Sequence, residues 1–253
     1  MSKTVLFRGD HEVGEDWPAW SFSALNTYKT CPYKYLHEKV LKTVPYIESD
    51  AARDGNIIHK HFEERLRDGT QFPKKIRTSA YISPDTVRAY ERLAARLETL
   101  SKDKMTFYET RMALSHTGEP VAYFSKRPKV FLRLVVDFGY IDGNVAHIYD
   151  YKTGKRKDDD LQLALFFAAI RAKYPQVTEA RVHFVWLKYI KDAPRQLLST
   201  GRYTDAEEYG IWQKCLDTVR SIHQSMSTDS WPKRKSGLCR NYCGVDDCEH
   251  RNG

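Results

Sequence analysis

Asp150 and Lys152 close an apolar run, Val145-Ala-His-Ile-Tyr-Asp150-Tyr-Lys152. In an extended strand, residues two apart share a face, so carboxylate and amine project together. Open α/β sheets tend to place ligands at the carboxyl ends of their strands, where this pair lies. Asp137 stands thirteen residues earlier, in Val135-Val-Asp137-Phe. Asp142-Gly143-Asn144 lies between and reads as a tight hairpin turn, which would bring Asp137 beside Asp150. Two carboxylates a few ångströms apart repel each other unless a cation sits between them. Mg²⁺ and Mn²⁺ take oxygen ligands of this kind. A nearby lysine can orient a water and stabilise charge on a phosphoryl oxygen. The chemistry this set suits is metal-assisted hydrolysis of a phosphodiester. On spacing alone, a surface ion pair at a strand end fits equally well.

The elements that must position these residues follow from periodicity. Phe107 to Leu114, Val130 to Phe138 and Val145 to Tyr151 are rich in β-branched and aromatic residues and read as strands. Leu161 to Tyr174 reads as a helix, and Arg181 to Ile190 as a strand. Ser21 is an N-cap for a helix carrying Phe22 and Leu25, which Cys31-Pro32 interrupts. Pro84-Asp85 opens a helix with a stripe at Val87, Tyr90, Leu93, Leu97 and Leu100. Thr204-Asp-Ala-Glu207 is a capping box for a helix bearing Ile211, Cys215, Leu216, Val219 and Ile222. Helices, a strand meander, then helix, strand and helix make an α/β core with an N-terminal helical elaboration. The expected division is an irregular arm over 1–20, a helical region over 21–104, the core over 105–230 and a cysteine-rich tail over 231–253.

Cys239, Cys243 and Cys248 fall within ten residues near the end of the chain. Such clustering reads as metal ligation before it reads as disulfides. A closed site wants a fourth ligand, and Cys31 is the candidate, with His250 as an alternative. Cys215, among Leu216 and Val219, reads as a small buried hydrophobe.

The chain has 253 residues, 41% of them hydrophobic and 29% charged, which fits a globular protein and excludes a disordered one. Its longest apolar run, Leu163 to Ile170, is too short for the ~18 residues of a membrane span. The first ten residues lack the apolar stretch of a secretory signal. A membrane partner is therefore not expected, and the cytoplasm is the expected location. Lys and Arg number 41 against 33 Asp and Glu, a net charge of +8, which favours a polyanionic partner such as nucleic acid. Lys155, Arg156 and Lys157 run straight out of the strand bearing Asp150 and would contact flanking phosphates. Trp17, Trp20, Tyr28, Tyr33 and Tyr35 could stack on unpaired bases, although packing of the helical region is the better reading of each.

Asp137 … Asp150-Tyr-Lys152-Thr-Gly154 resembles the core motif of the PD-(D/E)XK nuclease superfamily, in its RecB-like, CRISPR-associated-exonuclease-like branch. Three further segments resemble the same branch in the same order. They are Ser21-Phe-Ser-Ala-Leu with Cys31-Pro-Tyr-Lys-Tyr, Gly55-Asn-Ile-Ile-His59-Lys-His-Phe-Glu63, and Leu161-Gln162-Leu-Ala-Leu-Phe-Phe. The resemblance covers about residues 20 to 250. It implies a restriction-endonuclease-like α/β core, a mixed central sheet flanked by helices.

The resemblance also implies roles. Asp137 and Asp150 would bind Mg²⁺ or Mn²⁺, with His59 and the backbone carbonyl of Tyr151 as further ligands. Lys152 would assist the attacking water, and Gln162 would hold the helix beside the scissile phosphate. Glu63 is a candidate partner for His59 and equally a surface carboxylate, and His61 points off that face. Glu109, on an earlier strand, is a weaker candidate to join the site. Asp142 competes with Asp137 and reads better as a turn residue. Cys31, Cys239, Cys243 and Cys248 would hold a 4Fe–4S cluster, with Zn²⁺ as the alternative. Their Cys-x₃-Cys-x₄-Cys spacing departs from the branch's Cys-x₂-Cys-x₅-Cys.

The activity implied is a metal-dependent DNA exonuclease of recombination, replication or repair, of phage origin in one version, and then located in the host cytoplasm. DNA is the expected partner, with a helicase, recombinase or single-strand-binding protein beside it. The rival readings are a non-cleaving nucleic-acid-binding module and a nuclease acting on RNA.

Overall fold

The computed structural model describes residues 17–45, 47–126, 129–156, 160–191 and 198–252. Of the expected N-terminal arm, residues 1–16 lie outside the described residues, as does Lys157.

Helix α1 (Phe22–Thr30) starts at Ser21, whose hydroxyl accepts the N–H of Ala24. Cys31 breaks it in extended conformation, and Pro32 opens α2 (Pro32–Tyr35) with a missing N–H that costs nothing there. A π-helical turn over Leu36–Val40 follows. Helix α3 (Asp50–Asp68) begins at the Ser49 cap and ends at Gly69, whose left-handed backbone suits glycine. Helix α4 (Pro84–Ser101) is capped by Ser83, with Pro84 in its first turn as expected.

The sheet has six strands: β1 (Met105–Ser115), β2 (Pro120–Val121), β3 (Val130–Asp142), β4 (Val145–Lys152), β5 (Glu179–Trp186) and β6 (Leu198–Tyr203). Their order is β2-β1-β3-β4-β5-β6. All neighbours are antiparallel except β4 and β5, which are parallel and joined through helix α5 (Asp160–Lys173). Gly143, at φ 60°, makes the expected turn between β3 and β4. Helix α6 (Asp205–Thr228) and the short α7 (Cys239–Tyr242) and α8 (Glu249–Asn252) complete the chain. The side chains of Asp205, Glu207 and Ile211 lie outside the described residues, so the expected capping box has no structural account.

Two differences from the sequence reading stand out. The strand expected to run to Ile190 ends at Trp186, and Leu187–Tyr189 form a 3₁₀ turn. Strand β6 was not expected: Leu198-Ser-Thr-Gly-Arg-Tyr lacks apolar alternation because it lies on an edge and buries only Tyr203.

The sheet packs helices on both faces. Val136, Ala146, Ile148, Phe184 and Trp186 join the core formed with α1, α5 and α6. Phe138, Tyr140, Tyr149 and Tyr151 face the opposite core, with Ile58 and Phe62 of α3 and Tyr90 of α4. Leu25, Phe62, Ile148 and Phe167 are wholly buried, and each such side chain stabilises the fold by roughly 1.5–3 kcal/mol relative to exposure. No helix among the described residues is long and apolar enough to cross a membrane.

Candidate active site

The site forms where β3 and β4 part. Their pairing runs from Asp142↔Val145 to Phe138↔Tyr149 and stops. One step further, Asp137 stands opposite Asp150. The gap is filled by the Asp137 carboxylate, whose Oδ2 accepts the N–H of Tyr151 at 2.7 Å. A side chain thus takes the place of a ladder carbonyl, and no buried donor is left unpaired.

Side-chain alternation resets at the same level. Leu132, Leu134 and Val136 face the α5 side, whereas Phe138 and Tyr140 face α3 and α4. On the neighbouring strand, Tyr108 pairs with Phe138 and Thr110 with Val136, with Glu109 between them. Glu109 has φ 40°, in the left-handed region that costs a non-glycine residue of order 1–3 kcal/mol. This local strain turns Glu109 toward Asp137.

Helix α3 brings His59 from the other side. Gly55 lies one turn before it, and a Cβ there would come within 3.2 Å of Thr153 Oγ1, so the missing side chain allows close approach to the end of β4. Phe62 stacks on the Tyr151 ring at 4.5 Å and anchors the same helix. His59 Nε2–H donates to the Tyr151 carbonyl at 3.0 Å. That leaves Nδ1 at 3.5 Å from Asp137 Oδ2 and 3.7 Å from Glu109 Oε1. Ligand atoms of His59, Glu109 and Asp137 lie within 4.8 Å of one another, the only such trio of metal-capable side chains among the described residues. Glu109 Oε1 is buried and receives no hydrogen bond. A set of imidazole and carboxylates with an unsatisfied buried oxygen fits a divalent cation.

The electrostatics have the same origin. Burial pulls the His59 pKa down, but Asp137 and Glu109 outweigh it and raise the value to about 10. A proton on His59 therefore supplies positive charge where the carboxylates converge. Burial and the Asp137 carboxylate push Asp150 well above the ordinary carboxylate range, only partly offset by Lys152.

Asp150 and Lys152 form an ion pair. Lys152 Nζ also donates to Gln162 Oε1 at 3.2 Å and lies 4.9 Å from the centre of the Phe184 ring. The structure thus brings Asp137, His59 and the Tyr151 carbonyl into one group, and Asp150, Lys152 and Gln162 into a second beside it. Glu109, the weaker candidate of the sequence, joins the first; its place depends on a backbone kink that spacing cannot reveal. Glu63 pairs with Arg67 and behaves as a helix-surface carboxylate. His61 lies 3.7 Å from Glu64, away from the site. Asp142 pairs with Lys104 at the turn. Lys155 and Arg156 are exposed just beyond β4.

Far from this site in sequence, Cys31, Cys239, Cys243 and Cys248 line one cavity, and none is in a disulfide. His250 does not line it. Backbone N–H groups of Arg234 and Ser236 point at Cys31 Sγ (3.4 Å) and Cys239 Sγ (3.2 Å). The tail is tied to the N-terminal helices by Tyr33 O–H to Asp247 at 3.1 Å and by Lys34 Nζ to the Tyr242 carbonyl at 3.1 Å. Cys215 is buried in the main core, as expected. Trp20, Tyr28 and Tyr35 are buried too, which removes them as base-stacking platforms.

Comparison with known proteins agrees with this architecture. The family model of the PD-(D/E)XK nuclease superfamily matches residues 19–249. The chain belongs to that superfamily, and its activity is that of a nuclease, a phosphodiester hydrolase acting on nucleic acid. A crystal structure from Eubacterium rectale, described as that of a candidate exonuclease, superposes with a TM-score of 0.50 at 14% identity, covering 96% of this chain and 93% of that one. The likeness is one of fold. The structure of SSO0001 overlaps with a TM-score of 0.37 at 10% identity, over 96% of this chain and 90% of that one, too loosely to carry an argument. No curated protein matches the sequence.

Proposed function

We propose that this nuclease is a DNA exonuclease dependent on Mg²⁺ or Mn²⁺. The observation that carries the metal dependence is the convergence of His59, Glu109 and Asp137 within 4.8 Å, with Asp150 on the adjoining strand position. These four side chains and the Tyr151 carbonyl would hold the ion. A bound divalent ion supplies a more acidic water and neutralises charge on the phosphate.

The chain's own residues do the rest. His59 would serve as a ligand through Nδ1 once that nitrogen gives up its proton. Lys152 holds a proton beside the reacting phosphate and stabilises charge on its oxygen. Gln162 fixes the Lys152 amine from α5, on the opposite side of the sheet from α3. Lys155, Arg156 and Lys157 hold the flanking phosphates.

The DNA and exonuclease assignments rest on the RecB-like resemblance. The candidate exonuclease of similar fold is consistent with them. A role in recombination, replication or repair, beside a helicase, recombinase or single-strand-binding protein, has the same basis. So do a phage origin and a cytoplasmic location.

Cys31, Cys239, Cys243 and Cys248 would hold a 4Fe–4S cluster that staples the tail to α1 and α2. Two backbone N–H groups aimed at sulfur suit thiolate ligands.

Incubation with end-labelled linear DNA and closed circular DNA, with Mg²⁺, Mn²⁺ or EDTA, tests the proposal. Metal-dependent loss of the linear form with the circle intact is expected. Cleavage of the circle would overturn the exonuclease assignment, and selective degradation of RNA would overturn the choice of DNA.

A further inference from the structure

Beside Gln162 a groove of about 690 Å³, counting its open mouth, runs along the sheet face that carries α1 and α5. About 280 Å³ of it is room for a bound body, just under the roughly 300–1,000 Å³ of small-ligand clefts and enough for a single base. Its walls include Ser21 and Ser23 at the start of α1, Arg133 on β3, Leu165 on α5 and Tyr123 after β2. Gln162 belongs to this wall and also accepts from Lys152, so the groove is continuous with the catalytic group.

Tyr123 and Arg133 join this wall to a cluster just outside the groove that includes Arg111 and Phe124. Arg133 Nε donates to the Tyr123 carbonyl at 2.9 Å, and its guanidinium lies 5.7 Å from the Tyr123 ring. Arg111 lies 5.7 Å from the same ring and 5.9 Å from Phe124. Phe124 packs edge-on against Tyr123 at 5.0 Å and is 71% exposed. A large ring left in water beside a guanidinium group contributes little to folding and offers a π-face with a phosphate-binding cation at its edge. From Thr110 to Val135 the sequence holds five Lys and Arg against a single acidic residue, Glu119.

We propose that this groove is a subsite for unpaired nucleotides of the substrate strand flanking the cleaved bond. Bases lie on Tyr123 and Phe124. Phosphates meet Arg133, Arg111 and the hydroxyls of Ser21 and Ser23. Stacking with cationic contacts is the sequence-tolerant way of gripping single strands, so recognition here is of strand state and not of base order. The inference rests on the nuclease reading for its substrate and adds strand preference to it.

The test measures binding separately from cleavage. A fluorescent single-stranded oligonucleotide is titrated with full-length protein in EDTA and read by anisotropy. Phe124→Ala and Arg133→Gln are each expected to weaken binding about tenfold, while Tyr81→Ala, an exposed ring elsewhere, does not. A blunt duplex of the same sequence is expected to compete poorly. A 5-bromouracil oligonucleotide cross-linked to the wild type is expected to label the 123–124 segment, which keeps the proposal testable should Arg133→Gln misfold. Unchanged binding by Phe124→Ala, cross-links confined to other segments, absence of binding by the wild type or equal competition by duplex would each overturn it. Cleavage by the wild type with unaffected binding by the variants would sink the subsite alone. Binding lost in the variants by a wild type that cleaves nothing would sink the nuclease reading alone.

Discussion

Asp137 Oδ2 accepts the backbone N–H of Tyr151 at 2.7 Å, one residue past the point where β3 and β4 stop pairing. A carboxylate wedged between two strands holds the split open. It also sets Asp137 across from Asp150 without a neutral group between them. Burial first, and then repulsion from Asp137, raise the Asp150 pKa. A site of this kind is destabilised until a cation arrives.

Asp150→Asn therefore separates stability from activity. Removing the charge relieves the repulsion, so the metal-free variant should be more stable, by on the order of 1 kcal/mol or about 2–4 °C in Tm for a chain of this size. Cleavage should fall by about 10²–10⁴-fold. Differential scanning calorimetry in EDTA beside a nuclease assay reads both, and a less stable Asp150→Asn would remove the argument from repulsion.

The pH dependence of stability follows from His59. Its folded pKa is raised from 6.5 to about 10, so its contribution is full below pH 6.5 and is lost as pH climbs toward 10. Asp150, raised from 3.8, adds a loss of the same sign at lower pH, because the native state there binds more protons than the unfolded chain. His183, lowered to about 4 by burial first, acts oppositely, but only between pH 4 and 6.5. Between pH 7 and 9 the metal-free Tm should fall by several degrees, and His59→Gln should flatten that fall. Saturating Mn²⁺ should restore stability at pH 9 more than at pH 7. A flat wild-type profile in EDTA contradicts this.

Glu109 supplies a sharper test of the ligand set. Glu109→Gln should weaken Mn²⁺ binding about tenfold or more by isothermal titration calorimetry, in the range seen when groups at or next to a metal are changed. Glu63→Gln, which loses only its pairing with Arg67, should bind Mn²⁺ like the wild type. Equal effects of the two would place the ion elsewhere.

Much of this architecture is written locally. Ser21, Ser83 and Pro84 mark two helix starts through capping, and Gly143 marks the hairpin through its backbone conformation, because both signals act within four residues. The hairpin register then places Asp137 opposite Asp150. Glu109 was not legible, since its orientation comes from a left-handed backbone and from the shared reset of β1 and β3, neither of which leaves a spacing signature. Arg133 and Tyr123 were missed for a related reason. Their groove is assembled from α1, β3 and α5, and no segment of sequence holds it alone.

The cysteine set makes an independent prediction. Protein purified without oxygen should be brown, with iron and sulfide near the content of one cubane. Cys31→Ser should lose the iron and lower Tm, whereas Cys215→Ser should keep the iron. A colourless wild type holding one zinc would replace the cluster by a zinc site.

In the proposed reaction, acidic groups from neighbouring strands and the Lys152 amine act together on a phosphodiester. Its most direct measurement is the single-turnover rate on a linear oligonucleotide with Mn²⁺, for wild type, Asp150→Ala and Lys152→Ala. Metal-dependent cleavage by the wild type is expected, with a loss of about 10²–10⁴-fold in each variant. Wild-type rates in either variant, or no cleavage by the wild type with any divalent ion, would contradict it.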